Sequence, residues 1–215
     1  MELASKIPVP TLERLAVYLR HLYQISSVGV ETISSAYIEK VMGIHAPQFR
    51  KDLSYFGEFG RPGVGYKVQE LQEQIARILK VDIDQPVLLV GAGNLGSALV
   101  GYTGLRHHHF NIVAVLDSSC NKIGRKLWDL HIMDINDVVE INSSIGAKMA
   151  ILAIPADAAQ GVADQLVTAG IRAILNFAPT TILAPDGVNV RNVCFMSELA
   201  VLSFYLSPEI QDSQG

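Results

Sequence analysis

The run Val87-Leu-Leu-Val-Gly-Ala-Gly-Asn-Leu-Gly96 sets three glycines at the spacing that can cradle a pyrophosphate. Gly91 permits a tight turn, Gly93 lets the backbone approach the anion, and Gly96 lets helix and strand pack closely. Ala92, Asn94 and Leu95 fall in the same segment, because a helix opening here presents unpaired N–H groups to an anion. The spacing alone is common; its weight comes from the apolar strand before it and the helix after it. A second apolar run, Ile112-Val-Ala-Val-Leu-Asp117, ends in an acid 21 residues beyond Gly96. Asp117 can accept hydrogen bonds from the adenosine ribose and would repel a 2′-phosphate, so the ligand implied is NAD(H) rather than NADP(H).

A second constellation precedes it. Gln48, Arg50, Lys51, Ser54 and Tyr55 lie on one short helical segment and supply donors and acceptors suited to bases and phosphates. Phe49, Leu53 and Phe56 form the buried side of that helix. Arg61 and Lys67 flank a stretch with three glycines and a proline, Glu58–Tyr66, that reads as a tight hairpin, and only Asp52 and Glu58 oppose these cations. Arg61 at the hairpin tip can reach a narrow minor groove.

Helical stripes and turn signals give the elements that hold these residues. Thr11 is placed to cap a helix carrying Leu12, Leu15, Ala16, Leu19 and Leu22. Ser34 or Ser35 caps a second helix that Gly43 ends, and Pro47 suits the first turn of a third. Two short helices, a longer reading helix and a glycine-rich hairpin describe a winged helix-turn-helix over residues 1–84. A fourth helix buries Val68, Leu71, Ile75, Ile78 and Leu79. After Pro86, short apolar runs at Val87–Val90, Ile112–Leu116, Met149–Ile154 and Arg172–Leu175 alternate with helices near Leu95–Leu99, Ile135–Ile141 and Ala156–Ala169. That alternation predicts a Rossmann-like α/β domain over 85–192, a doubly wound parallel sheet. Residues 193–215 hold a helix that is apolar on nearly every face and needs cover, which a second subunit could supply.

Charge follows the same division. The net charge of −4 excludes a globally basic nucleic-acid coat, but residues 1–85 hold ten Lys/Arg against ten Asp/Glu, and residues 86–215 hold seven against eleven. All the excess acid lies in the second part. No run is long and apolar enough for a membrane helix, and the N-terminus lacks a signal-peptide core, so a cytoplasmic protein is expected. Cys120 and Cys194 lack metal or redox spacing and read as free thiols.

Catalytic and metal chemistry find little support. The His107-His108-His109 run points in successive directions and reads as a solvated loop rather than a metal site, and His131 stands alone. The α/β unit leaves no second domain to present a substrate, and no acid/base pair stands out, so the chain is not expected to be an enzyme. The rival readings are an NAD-dependent oxidoreductase with an N-terminal interaction domain, or a thiol-based regulator using Cys120 or Cys194.

The stretches Gln48-Phe-Arg-Lys-Asp-Leu-Ser-Tyr-Phe-Gly57 and Gly60-Arg-Pro-Gly-Val-Gly-Tyr66 closely resemble the Rex family of redox-sensing transcriptional repressors. The likeness continues through Gly91–Gly96, Asp117 and Asn176-Phe-Ala-Pro179. It implies a homodimer that binds double-stranded DNA at a palindromic operator and senses the NADH/NAD⁺ ratio, with NADH closing the dimer and releasing it. It also implies C-terminal helices swapped between subunits, with Phe195 near the partner's nicotinamide. Arg20 and Tyr102 match a coupling network that the family completes with an Asp immediately before the position of Phe195; this chain has Cys194 there.

Overall fold

The structure is a computed structural model that describes residues 7–60 and 63–206. The chain forms two compact units, residues 1–83 and 84–215.

In the first unit, helix α1 (Val9–Ser27) opens on Pro8, with Pro10 in the first turn, where a missing N–H costs nothing. Thr11, expected as the cap, instead lies buried inside the helix, at the head of a stripe through Leu15, Tyr18, Leu22 and Ile25. The two prolines start the helix a turn earlier than a hydroxyl cap would. Strand β1 (Thr32–Ile33) leads into α2 (Ser35–Met42), which Ser34 caps by accepting from the Tyr37 N–H and Gly43 ends in the left-handed region. Helix α3 (Ala46–Ser54) follows, with Pro47 in its first turn. Strand β2 (Tyr66–Lys67) and helix α4 (Val68–Leu79) complete the unit.

Among the described residues, the glycine-rich segment pairs with an upstream strand rather than within itself. Strand β2 pairs antiparallel with β1, Thr32 opposite Lys67 and Ile33 opposite Tyr66. Gly65 makes that return possible: at φ +93°, its Cα lies so near the Ile33 carbonyl that no Cβ would fit. The core joins all four helices, with Phe49 edge-on to both Tyr18 and Tyr66.

The second unit alternates strands and helices: β3 (Gln85–Val90), α5 (Asn94–Gly101), α6 (Thr103–His107), β4 (Phe110–Asp117), β5 (Lys126–Leu127), β6 (Leu130–Asp134), α7 (Val138–Ile145), β7 (Met149–Leu152), α8 (Ala156–Thr168), β8 (Ala173–Asn176), β9 (Asn189–Asn192) and α9 (Phe195–Tyr205). Among the described residues the sheet has seven strands in the order β5-β6-β4-β3-β7-β8-β9. All pairings are parallel except β5 with β6. The chain winds outward from β3 through β4 to β6, then returns to β7 on its other side. The carboxyl ends of β3 and β7 therefore flank a topological switch point, where such sheets bind ligands. Apolar side chains cover both faces, Leu88, Val90, Ala150 and Leu152 on one and Val87, Leu89, Val115 and Ile151 on the other.

Several elements carry no apolar signal. Strand β9 is Asn-Val-Arg-Asn, largely exposed at the sheet edge, and the β5–β6 pair buries only Ile132 fully. Helix α6 takes in His107 from the run expected as loop, while His109 bonds Asp84 at 2.9 Å. No described helix is long and apolar enough to cross a membrane.

Candidate functional site

The loop after β3 is locked to the sheet from both sides. Gly91 N–H donates to the Leu116 carbonyl, and Ala153 N–H donates to the Val90 carbonyl. Gly91 sits at φ +105°, with the Ala153 carbonyl where a Cβ would be, and Gly96 packs the same way on the Gly91 carbonyl. The third glycine therefore serves helix–loop contact more than helix–strand contact. At Gly93, the cap of α5, a Cβ would meet nothing within 4 Å, so the backbone is bare toward the cleft. Asn94 and Leu95 are exposed in the first turn of α5, whose N–H groups have no intrahelical partners.

This loop borders a cleft of about 410 Å³ lined by Gly91, Gly93, Asp117, Ser119, Lys122 and Ile154 among others. Asp117 ends β4 with only 7% of its surface exposed. Its Oδ2 accepts from the Ala92 N–H and the Lys122 ammonium, both at 2.8 Å, and its Oδ1 accepts from the Ser119 N–H at 2.9 Å. Burial pushes this carboxyl up, but the bonds from Lys122, Ser119 and Ala92 prevail and hold it below the usual carboxylate range. The cradle thus combines bare main chain, a helix N-terminus and an ionised acid. These groups fit a dinucleotide: Gly91–Gly96 would hold the pyrophosphate and Asp117 the adenosine ribose. Phe195 is exposed at the start of α9, its ring 6.2 Å from that of Phe177.

The second candidate surface is α3. Arg50, Lys51 and Ser54 are exposed on one side, while Phe49 and Leu53 are buried on the other. Arg50 donates to Ser35 Oγ at 2.8 Å, which aims the guanidinium across the start of α2. Glu39 fastens the turn between these helices, accepting from the Ala46 N–H and bonding the His45 ring. Those two contacts hold the Glu39 carboxyl below its ordinary range. Three expected contributors are otherwise engaged. The Gln48 amide donates to Asp52, Ser54 Oγ donates to the Lys51 carbonyl, and Lys67 pairs with Glu70 at 2.6 Å. Tyr55 is half-buried at the end of α3. Arg61 lies outside the described residues.

Asp52, expected to oppose the cations of this surface, is wholly buried. It accepts from Arg14 at both oxygens (2.6 Å each), from Tyr18 Oη at 2.9 Å, Thr11 Oγ1 at 3.2 Å and Gln48 Nε2 at 2.8 Å. No motif or spacing in the sequence gathers Arg14, Tyr18 and Thr11 about this acid. Their burial is nonetheless visible in the periodicity: Thr11 and Tyr18 sit on the apolar stripe of α1, and Asp52 sits between Phe49 and Leu53 on that of α3. The outer face of α3 is consequently more positive than its composition suggests.

Arg20 and Tyr102 are both exposed, Arg20 on α1 and Tyr102 between α5 and α6. Cys120 and Cys194 are exposed and unpaired. Cys194 stands at the N-cap position of α9, and hydrogen bonding with Ser197 lowers its thiol below the ordinary value. Among the described residues, no three His, Cys, Asp or Glu side chains gather as a metal site.

A helix-turn-helix unit and a dinucleotide-type cleft on one chain define the class of ligand-responsive DNA-binding regulators. Residues 6–54 match the family described as "Putative DNA-binding protein N-terminus", and residues 82–180 match "CoA binding domain". The redox-sensing transcriptional repressor Rex of Carboxydothermus hydrogenoformans is 45% identical over 93% of this chain and 96% of its own. That of Chloroflexus aurantiacus is 44% identical over 97% and 99%. Among solved structures, RSP in complex with β-NAD⁺ and operator DNA matches with a TM-score of 0.89 at 37% identity, covering 94% of each chain. RSP in complex with β-NADH matches at 0.87 and 35% identity, covering 95% of this chain and 96% of that one. The chain belongs to the Rex family of redox-sensing transcriptional repressors. It is a regulator rather than an oxidoreductase.

Proposed function

We propose that this protein is a cytoplasmic homodimer that binds a palindromic operator through α3 and releases it when NADH occupies the cleft between Gly91–Gly96 and Asp117. The observation that carries the reading is the joint presence of the bare glycine cradle with its ionised acid and the exposed Arg50–Lys51 face. The protein performs no chemical step. In a dimer, two reading helices must stand about 34–36 Å apart to enter successive major grooves. NADH would favour an arrangement with the wrong spacing, and NAD⁺ would permit the right one. A ligand shifts such an equilibrium only by its differential affinity for the two arrangements.

Within this reading, Arg50 and Lys51 contact DNA, with Gln48, Ser54, Tyr55, Arg61 and Lys67 around them. Ala92, Asn94 and Leu95 carry the cofactor's pyrophosphate with the three glycines, and Phe195 meets a nicotinamide. Arg20 and Tyr102 couple the cofactor to the arrangement of the dimer. The unit of residues 1–84 reads DNA, 85–192 binds cofactor, and 193–215 is exchanged between subunits. Helix α9 supports the exchange, because Leu199, Val201, Leu202, Phe204 and Tyr205 are all exposed. A bare apolar hollow of about 300 Å³, lined by Val87, Leu105, Phe110, Met149 and Leu175 among others, opens at the amino ends of the strands. Apolar surface of this kind marks an interface.

The test is a mobility shift on a palindromic operator with and without NADH. Coupling of about 1–3 kcal/mol would weaken operator binding roughly 5–150-fold when NADH is added. Reciprocity demands that saturating operator weaken NADH by the same factor. An unchanged NADH affinity would overturn the allosteric reading.

A further inference from the structure

Asp117 explains a preference for an unphosphorylated ribose only if its carboxylate is free to receive the ribose hydroxyls. In the structure it is mostly occupied. A carboxylate offers about four lone-pair sites. Oδ2 already takes Ala92 N–H and Lys122, and Oδ1 takes Ser119 N–H. One site remains, whereas a ribose diol brings two hydroxyl donors. Two of the three occupants are main-chain N–H groups fixed by the fold, and the third is the tip of a flexible side chain that is 40% exposed. Lys122 is therefore the occupant that can move. It also brings the opposite charge: with its ammonium 2.8 Å from Oδ2, the acid that should repel a 2′-phosphate is locally neutralised. Lys122 and Ser119 line the same cleft as Asp117, so the cation stands where the ribose end of a dinucleotide would lie.

We infer that Lys122 is a specificity-determining residue of this cleft, competing with the ribose hydroxyls for Asp117 and setting how strongly a 2′-phosphorylated dinucleotide is refused. The inference rests on the cofactor reading above. When an unphosphorylated ribose binds, Lys122 yields its place on Oδ2 and turns toward water. When a 2′-phosphate is offered, Lys122 stays and serves as its counter-ion, which softens the repulsion from Asp117. Selectivity is then a difference between two charges a few ångströms apart, and either can be removed separately.

The experiment measures NADH and NADPH dissociation constants by titration calorimetry on the full-length protein and on four variants, with thermal denaturation confirming that each is folded. The readout is the ratio of the NADPH to the NADH constant. Lys122→Met removes the cation and should raise the ratio roughly tenfold, because the acid is then unopposed. Lys122→Arg keeps the charge and should hold the ratio within about threefold of the original protein. Asp117→Ser leaves Lys122 unpaired and should bring the ratio below one. The double variant Asp117→Ser/Lys122→Met should return it toward one. A folded Lys122→Met protein whose ratio is unchanged would overturn the inference while leaving the cofactor reading intact. An original protein that binds neither nucleotide would overturn both.

Discussion

Asp52 in the first unit and Asp117 in the second are both buried carboxylates gripped by a cation, yet they are built for opposite ends. Asp52 accepts five hydrogen bonds from Arg14, Tyr18, Thr11 and Gln48 and is sealed between α1 and α3. It has no capacity left. Asp117 accepts three, keeps a free lone pair, and borders an open cleft. Both are held below the usual carboxylate range, against burial, by the bonds they accept. A low carboxyl pKa therefore marks neither a fastener nor a receptor. The difference lies in unused acceptor capacity and access to water, and on the function proposed above it separates the part of the molecule that must stay rigid from the part that must respond.

The largest effect should come from opening the sealed site. Asp52→Ala leaves Arg14 and Tyr18 without their acceptor, and breaking a buried pair of this kind costs about 3 kcal/mol. Arg14 is itself 29% exposed and can partly rehydrate, which keeps the loss at the low end of the range. Urea denaturation followed by circular dichroism should show the loss in the first unit, with operator binding reduced and NADH affinity retained. A loss below about 1 kcal/mol would erase the distinction between the two aspartates. Next in size, Arg50→Ala should weaken operator binding by about 2 kcal/mol, roughly thirtyfold, with folding and NADH affinity intact. Equal loss of both activities would trace the defect to misfolding.

Much of this arrangement was legible in the residues. The glycine loop, Asp117, Phe49 and Leu53 on the buried side of α3, and the uncovered terminal helix follow from local spacing and periodicity; Phe56, expected on that buried side, lies half-buried beyond the end of the helix at Ser54. The errors have a common origin in partners distant along the chain. Asp52 looks like a surface charge beside Arg50 and Lys51 until α1 brings Arg14 to it across 38 positions. The glycine-rich segment looks like a closed hairpin until β1, more than thirty positions upstream, takes up its pairing. Strand β9 has no apolar pattern because its order comes from main-chain pairing with β8.

Opening the receptor site should cost function rather than stability. Asp117→Ala leaves a partly exposed lysine and two loop N–H groups that water can reach, so unfolding should change by less than about 1 kcal/mol. NADH affinity should fall roughly tenfold, the weight of one hydrogen bond to a charged acceptor, and with Lys122 left unpaired the preference should reverse toward NADPH. A stability loss matching that of Asp52→Ala would mean that Asp117 is a second fastener.

Acid offers the finest separation of the two sites. Each carboxyl has a folded-state pKa below its unfolded value of about 3.9, so its contribution is fully present above about pH 4 and lost as pH falls through the folded value. The sign is the same for both, but the measured quantity differs. Protonating Asp52 removes the acceptor that Arg14 and Tyr18 require, so the stability of the first unit should decline with falling pH, and Asp52→Asn should flatten that slope. Protonating Asp117 turns an acceptor into a donor facing ribose hydroxyls, so it is NADH affinity that should decline, and Asp117→Asn should flatten that curve while leaving acid unfolding of the first unit unchanged. If either substitution moved the other's curve, the two aspartates could not be acting as independent fastener and receptor.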